Sequence, residues 1–305
     1  MLEHRLKLNC INKNIYELLL VIRKKGTLKL LLQQKETMNI REIFKQTEKL
    51  YHFTSFDTAK LILESNKLRF GRLNNMNDIH ENDKIVFHNS NGQEIKEFPA
   101  ELLNMFYDEI YKYRQISLSS DSNEGKLGFD LHQMWGLYAQ KCEGVCLVFD
   151  KKELPKEIHG DWVKYDITEK MESFCITSSQ TPTSIYTEVN RRISDIFFHK
   201  RKEWEHEQEY RFLKRCPNPN REEYLWFGNA LKFIILSSKL QNVDEVRYVN
   251  NIKEIRAKAH GIPVLIYGNG LLDYSLITHD GNDEIWNSNE GYDVLILGEN
   301  CKLAL

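Results

Sequence analysis

Residues Tyr51 to Glu81 read YHFTSFDTAKLILESNKLRFGRLNNMNDIHE, and this stretch predicts a strand, a helix, a second strand and a polar loop in close succession. Its first residues alternate as strand residues do, so His52 and Thr54 point to the same side. Ser55 or Asp57 can then cap a helix that carries an apolar stripe. Two polar side chains on one side of a strand, next to a loop rich in Asn and Asp, suit a ligand site, although such a loop also forms as an ordinary turn.

The composition of the chain is that of a globular protein. Of its 305 residues, 28% are charged and 41% are hydrophobic, and the length allows one large domain or two smaller ones. The aliphatic run Leu18 to Ile22 is far shorter than the roughly 20 apolar residues that span a bilayer. Charged residues also interrupt the amino terminus before the apolar core of a signal peptide can form. We therefore expect a cytoplasmic protein with no membrane partner.

The spacing of cysteines and histidines argues against a metal site. The six cysteines form no Cys-x-x-Cys pair and have no histidine at a matching distance. His80, His132, His199 and His206 are not spaced as ligands on a helix either. We expect free thiols and no bound metal.

The first 49 residues form a basic segment. Eleven Lys and Arg residues and five Glu residues precede Tyr51, so this segment is positive while the rest of the chain is negative. Its sequence pattern predicts helices. A basic helical segment can contact nucleic acid, or it can pack on the acidic remainder of its own chain.

Beyond the opening stretch, strands and helices mix without regular alternation. Gly144 to Phe149 is apolar throughout, which is typical of a central strand. The pattern predicts an α+β protein with a mixed, largely antiparallel sheet core flanked by helices. We divide the chain into a basic helical extension at 1–49, an α+β catalytic-like domain at 50–267 and a tail at 268–305 that packs on the domain. No Walker loop or Gly-x-Gly-x-x-Gly motif follows a strand, which argues against ATP and Rossmann-type dinucleotide sites.

Three groups of polar and aromatic residues could carry chemistry. They lie on the first strand, on a later strand with the helix after it, and on a strand in the second half of the chain. Each group also has an ordinary explanation, as a buried histidine, as helix packing or as an ion pair along a strand. The groups are His52 with Thr54, Ser117 with Trp135 and Tyr138, and Glu207 with Glu209 and Arg211, which share a face if their stretch is extended.

Five blocks of the chain resemble, in the same order, the blocks of an uncharacterised bacterial family, a domain of unknown function. The resemblance runs from about Leu50 to Tyr267 and leaves the basic segment and the tail outside it. The blocks are YHFTSFDTAKLILESNKLRF, NMNDIHE, SLSSDS with MWGLYAQKCEGVCLVFD, KRKEWEHEQEYRFL and LKFIILSSKL.

The layout of these blocks is also similar to that of ADP-ribosyltransferases, especially the bacterial toxin and anti-phage defence types. An opening His-x-Thr strand, an aromatic helix in the middle and a late glutamate on a strand carry this second resemblance. It implies that NAD is the substrate, that the acceptor is an unknown macromolecule such as a nucleic acid or a protein, and that the three parts line one cleft.

The second resemblance implies a role for each residue. Tyr138 or Trp135 would stack near the nicotinamide. Glu209, or less well Glu207, would hold the nicotinamide ribose and stabilise the positive charge that develops as the glycosidic bond breaks. Of the other residues, His52 and Thr54 would bind the adenosine-side ribose, Arg69 or Arg211 would pair with the pyrophosphate, and Ser117 would contact NAD from the middle strand.

Two other functions fit the same residues. A phosphotransferase or nuclease acting on RNA or DNA would use His52 as acid or base and Arg69 and Arg211 on phosphate, with the basic segment as a clamp. A non-catalytic interaction module would use them as a structural network instead.

Overall fold

The computed structural model describes the chain in several ranges that together contain the main sheet and its helices. Apart from its last three residues, the predicted basic helical segment 1–49 lies outside the described ranges, and so does the polar loop from Asn74 to Glu81. The described residues are 47–73, 86–88, 100–122, 125–167, 173–175, 181–237, 245–268, 277–278, 284–287, 293–296 and 302–303.

The described elements are short strands and helices in mixed order. The helices are α1 Phe56–Ser65, α2 Ala100–Ile110, α3 His132–Tyr138, α4 Pro182–Arg191, α5 Ile193–Phe197 and α6 Glu245–Lys258. The strands are β1 Lys49–Thr54, β2 Lys67–Arg69, β3 Gly71–Arg72, β4 Val86–His88, β5 Tyr113–Ser120, β6 Val145–Asp150, β7 His159–Trp162, β8 Lys164–Ile167, β9 Ser173–Cys175, β10 His199–Arg201, β11 Glu209–Arg215, β12 Tyr224–Trp226, β13 Leu231–Ser237, β14 Val264–Gly268, β15 Ile277–Thr278, β16 Glu284–Asn287, β17 Asp293–Ile296 and β18 Lys302–Leu303.

The main sheet is mixed and mostly antiparallel. Its strands lie in the order β16, β17, β14, β13, β6, β1, β5, β11, β7, and β3 also pairs with β5. β13 and β14 run parallel, and the other paired neighbours run antiparallel. The predicted α+β class, with a largely antiparallel sheet core flanked by helices, is confirmed. Two strands of the 268–305 segment, β16 and β17, extend this sheet beyond β14.

The two faces of the sheet carry different helices. One face contributes Leu50, Leu147 and Phe149 to a core that includes residues of α1 and α6. The opposite face contributes Tyr51 and Phe53 to a second core that includes residues of α3. Successive strand residues alternate between the two cores, as strand geometry requires. β6 is buried along its whole length, which confirms the predicted central strand.

Local sequence explains how α1 follows β1. Ser55 caps the helix, because its hydroxyl oxygen accepts a hydrogen bond from the Thr58 backbone N–H at 3.2 Å. Asn66 ends the helix in the left-handed conformation, which Asn tolerates better than most residues. Between these two residues, α1 buries Ala59 and Ile62 against the sheet.

The periodicity of residues 183–202 predicts a single long helix that includes Lys200, but the structure has two short helices and a strand there. α4 ends at Arg191, α5 ends at Phe197, and β10 begins at His199. α4 begins with a capping box in which the Thr181 and Ser184 side chains each bond the other residue's backbone. Tertiary contacts outweigh helical periodicity after Phe198, because β10 pairs with β8 at His199 and Arg201.

Two ladders on β5 leave a short interval between them. β1 pairs with β5 at Leu50–Ser120 and Tyr51–Ser119, and β3 pairs with it at Gly71–Gln115 and Arg72–Arg114. Ser117 lies between these ladders and is exposed, although β5 is otherwise buried. We call this interval, Ile116 to Leu118, the β5 gap. Within the parts of the chain that the structure describes, no helix has both the length and the apolar character needed to cross a bilayer.

Two glycines near α3 should respond oppositely to replacement by alanine. A Cβ at Gly144 would overlap the backbone carbonyl oxygen of Thr54, whereas a Cβ at Gly136 would meet no atom within 4 Å. Gly144→Ala should therefore lower the free energy of unfolding by about 1 to 3 kcal/mol. Gly136→Ala, which lies within α3, should raise it by up to about 1 kcal/mol. Urea unfolding monitored by tryptophan fluorescence measures both, and equal effects would contradict the close packing of Gly144 on β1.

Candidate functional site

A buried ion pair lies on β11 beside the β5 gap. Arg211 donates from Nε to Glu209 Oε1 at 2.5 Å and from Nη2 to Glu209 Oε2 at 3.0 Å. Its Nη1 donates to the Phe197 backbone carbonyl at 2.6 Å. The Glu209 side chain is 4% exposed and also hydrogen-bonds to the Ser117 side chain. The forked guanidinium therefore fixes the Glu209 carboxylate next to an exposed hydroxyl.

A second buried carboxylate, Glu207, joins the first through a lysine. Lys200 Nζ donates to Glu207 Oε2 at 2.6 Å and lies 3.2 Å from Glu209 Oε2. The Tyr138 hydroxyl donates to Glu207 Oε1 at 2.5 Å. Tyr138 is the last residue of α3, so this bond ties α3 to the chain just before β11. We call Tyr138, Lys200, Glu207, Glu209 and Arg211 the carboxylate cluster.

Glu207 does not lie on the strand, which corrects the prediction of a shared strand face. It ends a 3-10 helix from Lys202 to Glu207, and Gln208 then adopts a left-handed conformation with φ of 47°. This turn sends the chain from the helix into β11. As a result, the carboxylate of Glu207 still reaches Lys200 and lies in the same cluster as Glu209.

The two carboxylates have pKa values displaced in opposite directions. Burial alone would raise the pKa of Glu209, but the positive charges of Arg211 and Lys200, with hydrogen bonds from Arg211 and Ser117, hold it well below its usual range. Burial raises the pKa of Glu207, against the charge of Lys200, and the negative charge of Glu209 raises it further. The surroundings of Glu209 therefore favour its ionised form, and Glu207 is the carboxyl that takes up a proton more readily.

His52 lies on the other side of the sheet from the carboxylate cluster. Strand alternation puts His52 and Thr54 on the side of β1 that carries Leu50. Glu209 pairs with Ser119, which pairs with Tyr51, so Glu209 lies on the opposite side. The resemblance implies that His52, Thr54 and Glu209 line one cleft. The structure instead places His52 and Thr54 on one face of the sheet and Glu209 on the other.

The His52 side chain nevertheless meets the β5 gap. It hydrogen-bonds to the backbone of Ser117, beyond the last ladder pair of β1 and β5. Burial lowers the pKa of His52 to about 4, and the bond to Ser117 opposes this only partly. At neutral pH the imidazole is therefore uncharged, which suits hydrogen bonding to a neutral group better than proton transfer.

The other predicted residues lie outside the carboxylate cluster. Trp135 is buried, donates from Nε1 to the Phe129 carbonyl at 2.7 Å and packs on Phe53 and Tyr267, as a core residue does. Thr54 is buried at the end of β1. Arg69 is exposed on β2, with Nη1 3.7 Å from a Glu222 carboxylate oxygen. Of the predicted residues, the structure brings together Tyr138, Glu207, Glu209 and Arg211, with Ser117 at their edge.

Two members of this neighbourhood were missed by sequence reasoning. Lys200 was predicted to lie in a long helix, and only its place in β10 turns it towards the two carboxylates. Tyr165 accepts a hydrogen bond from the Glu209 backbone N–H at 2.8 Å. The run KRKEWEHEQEYR offered one signal for Lys200, because two carboxylates that become buried need a nearby cation. Among the described residues, no group of three or more His, Cys, Asp or Glu side chains is arranged to hold a metal ion.

Removal of the Arg211 charge should destabilise the fold strongly. Arg211→Met leaves the buried Glu209 carboxylate with Lys200 as its remaining cation, and breaking a buried pair in this way costs about 3 to 5 kcal/mol. Arg191 is a matched control, because it pairs with Glu188 at 2.6 Å on the exposed surface of α4. Arg191→Met should leave the midpoint of urea unfolding almost unchanged. Similar midpoints for the two variants would contradict a buried charge at Glu209.

Neutral His52 should make stability depend on pH. Its pKa is lowered in the folded protein, so the unfolded chain binds the proton first as the pH falls from about 6.5 to about 4. The free energy of unfolding therefore falls through this window, by at most about 3 kcal/mol from this group. Urea unfolding at pH 7 and pH 4.5 should show a smaller loss for His52→Gln than for the unsubstituted protein. An equal loss would mean that His52 is not buried in its neutral form.

Comparison with known proteins identifies one family over this part of the chain. No curated protein and no solved structure matches the chain. A family model does match residues 134–212, about a quarter of the chain, and confirms the expected resemblance to an uncharacterised domain over that range. The matched range begins in α3 and ends in β11, so it contains all five residues of the carboxylate cluster. Residues 134–212 match the family described as a protein of unknown function (DUF2971).

Proposed function

We propose that the protein is an NAD-dependent ADP-ribosyltransferase-like enzyme that modifies a nucleic acid or protein acceptor. The observation that carries this proposal is the buried Glu209 carboxylate, held by two hydrogen bonds from Arg211 and in contact with the exposed Ser117 at the β5 gap. A toxin or anti-phage defence role is the biological setting that the sequence resemblance implies.

A fixed anion suits the breaking of a nicotinamide glycosidic bond. As nicotinamide leaves with the bonding electron pair, the ribose develops oxocarbenium character, and a nearby carboxylate stabilises that charge. Arg211 and Lys200 keep Glu209 ionised, and the low exposure of Glu209 strengthens its electrostatic effect. A ribose hydroxyl would take the place of the Ser117 hydroxyl and donate a hydrogen bond to the Glu209 carboxylate.

The order of the strands in the sheet also supports the proposed function. The strands that carry His52, Ser117 and Glu209 are β1, β5 and β11, which are consecutive neighbours in the sheet although they are far apart in the sequence. The β5 gap lies at the middle strand of these three.

Glu207 can serve as the base of the reaction, a role that the lowered pKa of Glu209 does not suit. Its raised pKa suits it to take the proton that the acceptor nucleophile loses when it bonds to the ribose carbon. The Tyr138 hydroxyl donates to Glu207 Oε1 at 2.5 Å, so it can give its proton to this carboxyl as it takes one from the acceptor. Glu209 thus acts as the electrostatic stabiliser and Glu207 as the base, as their oppositely displaced pKa values allow.

The charge of His52 favours transferase chemistry over the phosphotransferase or nuclease alternative. With its pKa lowered to about 4, His52 is a poor general acid at neutral pH and carries no charge for a phosphate. His52 also lies on the opposite side of the sheet from Glu209, so the chemistry proposed at that carboxylate does not use it.

Replacement of Glu209 by Gln should remove transfer. Incubation of the unsubstituted protein with labelled NAD and cell extract should give labelled macromolecules and free nicotinamide. Glu209→Gln should lower both rates by at least about 100-fold, because the charge that stabilises the transition state is lost. Glu254→Gln is the control, because Glu254 is a surface carboxylate paired with Lys60 at 3.0 Å.

Folding must be separated from activity in this test, since Glu209 also balances Arg211 and Lys200. Thermal unfolding of each variant shows whether it is folded when its activity is measured. Ser117→Ala is a milder change beside the same carboxylate. A folded Glu209→Gln protein with full activity would contradict the proposal. So would an unsubstituted protein that neither transfers label nor releases nicotinamide with extracts that contain protein and nucleic acid.

A further inference from the structure

A two-stranded ribbon outside the main sheet presents aromatic and basic side chains on one face. β2 pairs antiparallel with β12, with Lys67 opposite Trp226 and Arg69 opposite Tyr224. The alternate residues Leu68 and Leu225 are buried in the core. The four outward side chains therefore share the face of the ribbon that points away from the core.

The two aromatic side chains on this face are largely exposed to solvent. Trp226 is 58% exposed and Tyr224 is 45% exposed. They stand two residues apart on β12, about 6.6 Å along the strand. Lys67 Nζ lies 5.5 Å from the Trp226 ring centroid and 5.9 Å from the Tyr224 ring centroid. Two exposed rings with a cation between them form a platform for flat, electron-rich groups.

The charges around this platform favour an anionic partner. Residues 67–72 and 221–226 contain four Lys or Arg residues and two Glu residues. Of the two acids, Glu223 is mostly buried and pairs with Lys214 at 2.7 Å and with Arg221 at 3.1 Å. The Arg69 and Arg221 side chains remain 67% and 71% exposed.

A fourth arginine, Arg114, adds to the positive charge behind the ribbon. Arg114 is buried opposite Arg72 on β3, and both donate from Nη2 to the Pro219 carbonyl at 2.8 Å. Arg114 Nη1 has no hydrogen-bond partner among the described residues. Two arginines that face one another raise the local positive potential at the end of the ribbon nearest the β5 gap.

We propose that the outward face of the β2–β12 ribbon binds single-stranded nucleic acid. Bases stack on Trp226 and Tyr224, and Lys67, Arg69 and Arg72 contact phosphates. Single strands fit this surface better than duplexes, because their bases are free to stack on protein rings and every base offers a π face. Phosphates along the same strand supply the negative charge that the exposed cations select.

The ribbon lies next to the β5 gap along the chain. β3 begins two residues after β2 and pairs with β5 at Gln115, two residues from Ser117. A strand bound on the ribbon can therefore extend towards the gap. Binding to the ribbon does not depend on the proposed NAD chemistry; if that chemistry holds, the surface also names the acceptor class as nucleic acid.

Fluorescence anisotropy with labelled oligothymidine and oligouridine tests the binding on the full chain. The unsubstituted protein should bind both single strands more tightly than a duplex of equal length. Trp226→Ala combined with Tyr224→Ala should weaken binding by at least about 5-fold, the smallest effect that the loss of one stacked base predicts. Tyr111→Ala, which removes an exposed tyrosine from another surface, is the matched control and should leave affinity unchanged.

Charge variants separate the ribbon from other basic parts of the chain. Lys67→Ala should lower the slope of log affinity against log salt by about 0.7, the value for one phosphate contact on a single strand. Lys253→Ala, at an exposed position on α6, should not change the slope. Absence of single-strand binding, or binding that the ribbon variants leave intact, overturns the proposal. The second result would assign binding elsewhere, for example to the basic segment 1–49.

Discussion

The structure around the β5 gap depends on how two buried carboxylates are neutralised. Glu207 and Glu209 would repel each other in the interior without Lys200, which contacts both, and Arg211, which holds Glu209 through two hydrogen bonds. Each cation comes from a different element, and Arg211 also bonds the Phe197 carbonyl at the end of α5. Because buried charges are costly unless they are paired, this requirement fixes α3, α5, β10 and β11 relative to one another.

The same cluster creates an electrostatic asymmetry beside the β5 gap. One carboxylate is kept ionised by two cations, while its neighbour is made easier to protonate by burial and by that fixed charge. A purely structural ion pair does not need this asymmetry, nor does it need an exposed serine at its edge. In the reaction that we propose, Glu209 would stabilise positive charge and Glu207 would accept a proton.

Sequence reasoning succeeded where local pattern decides structure and failed where distant contacts decide it. The apolar run of β6 and the Ser55 cap were readable from their own residues. Helical periodicity through residue 202 was misleading, because pairing of β10 with β8 outweighed it and so hid Lys200. His52 and Glu209 were each placed on strands, but the face on which each points depends on the β1–β5–β11 register, which no local pattern contains. The exposed rings of β12 were not recognised, since burial of an aromatic residue depends on its neighbours in three dimensions.

The interval between the two ladders of β5 also bears on how the sheet avoids pairing with other chains. An uncovered strand edge usually invites another β-strand, and long open edges promote aggregation. Here β1 and β3 occupy the edge on either side of Ser117, so the uncovered part is only a few residues long. Such a short edge is a poor template for pairing with a foreign chain. The His52 side chain, which hydrogen-bonds to the Ser117 backbone, occupies part of it, so a side chain rather than a strand closes the sheet at this point.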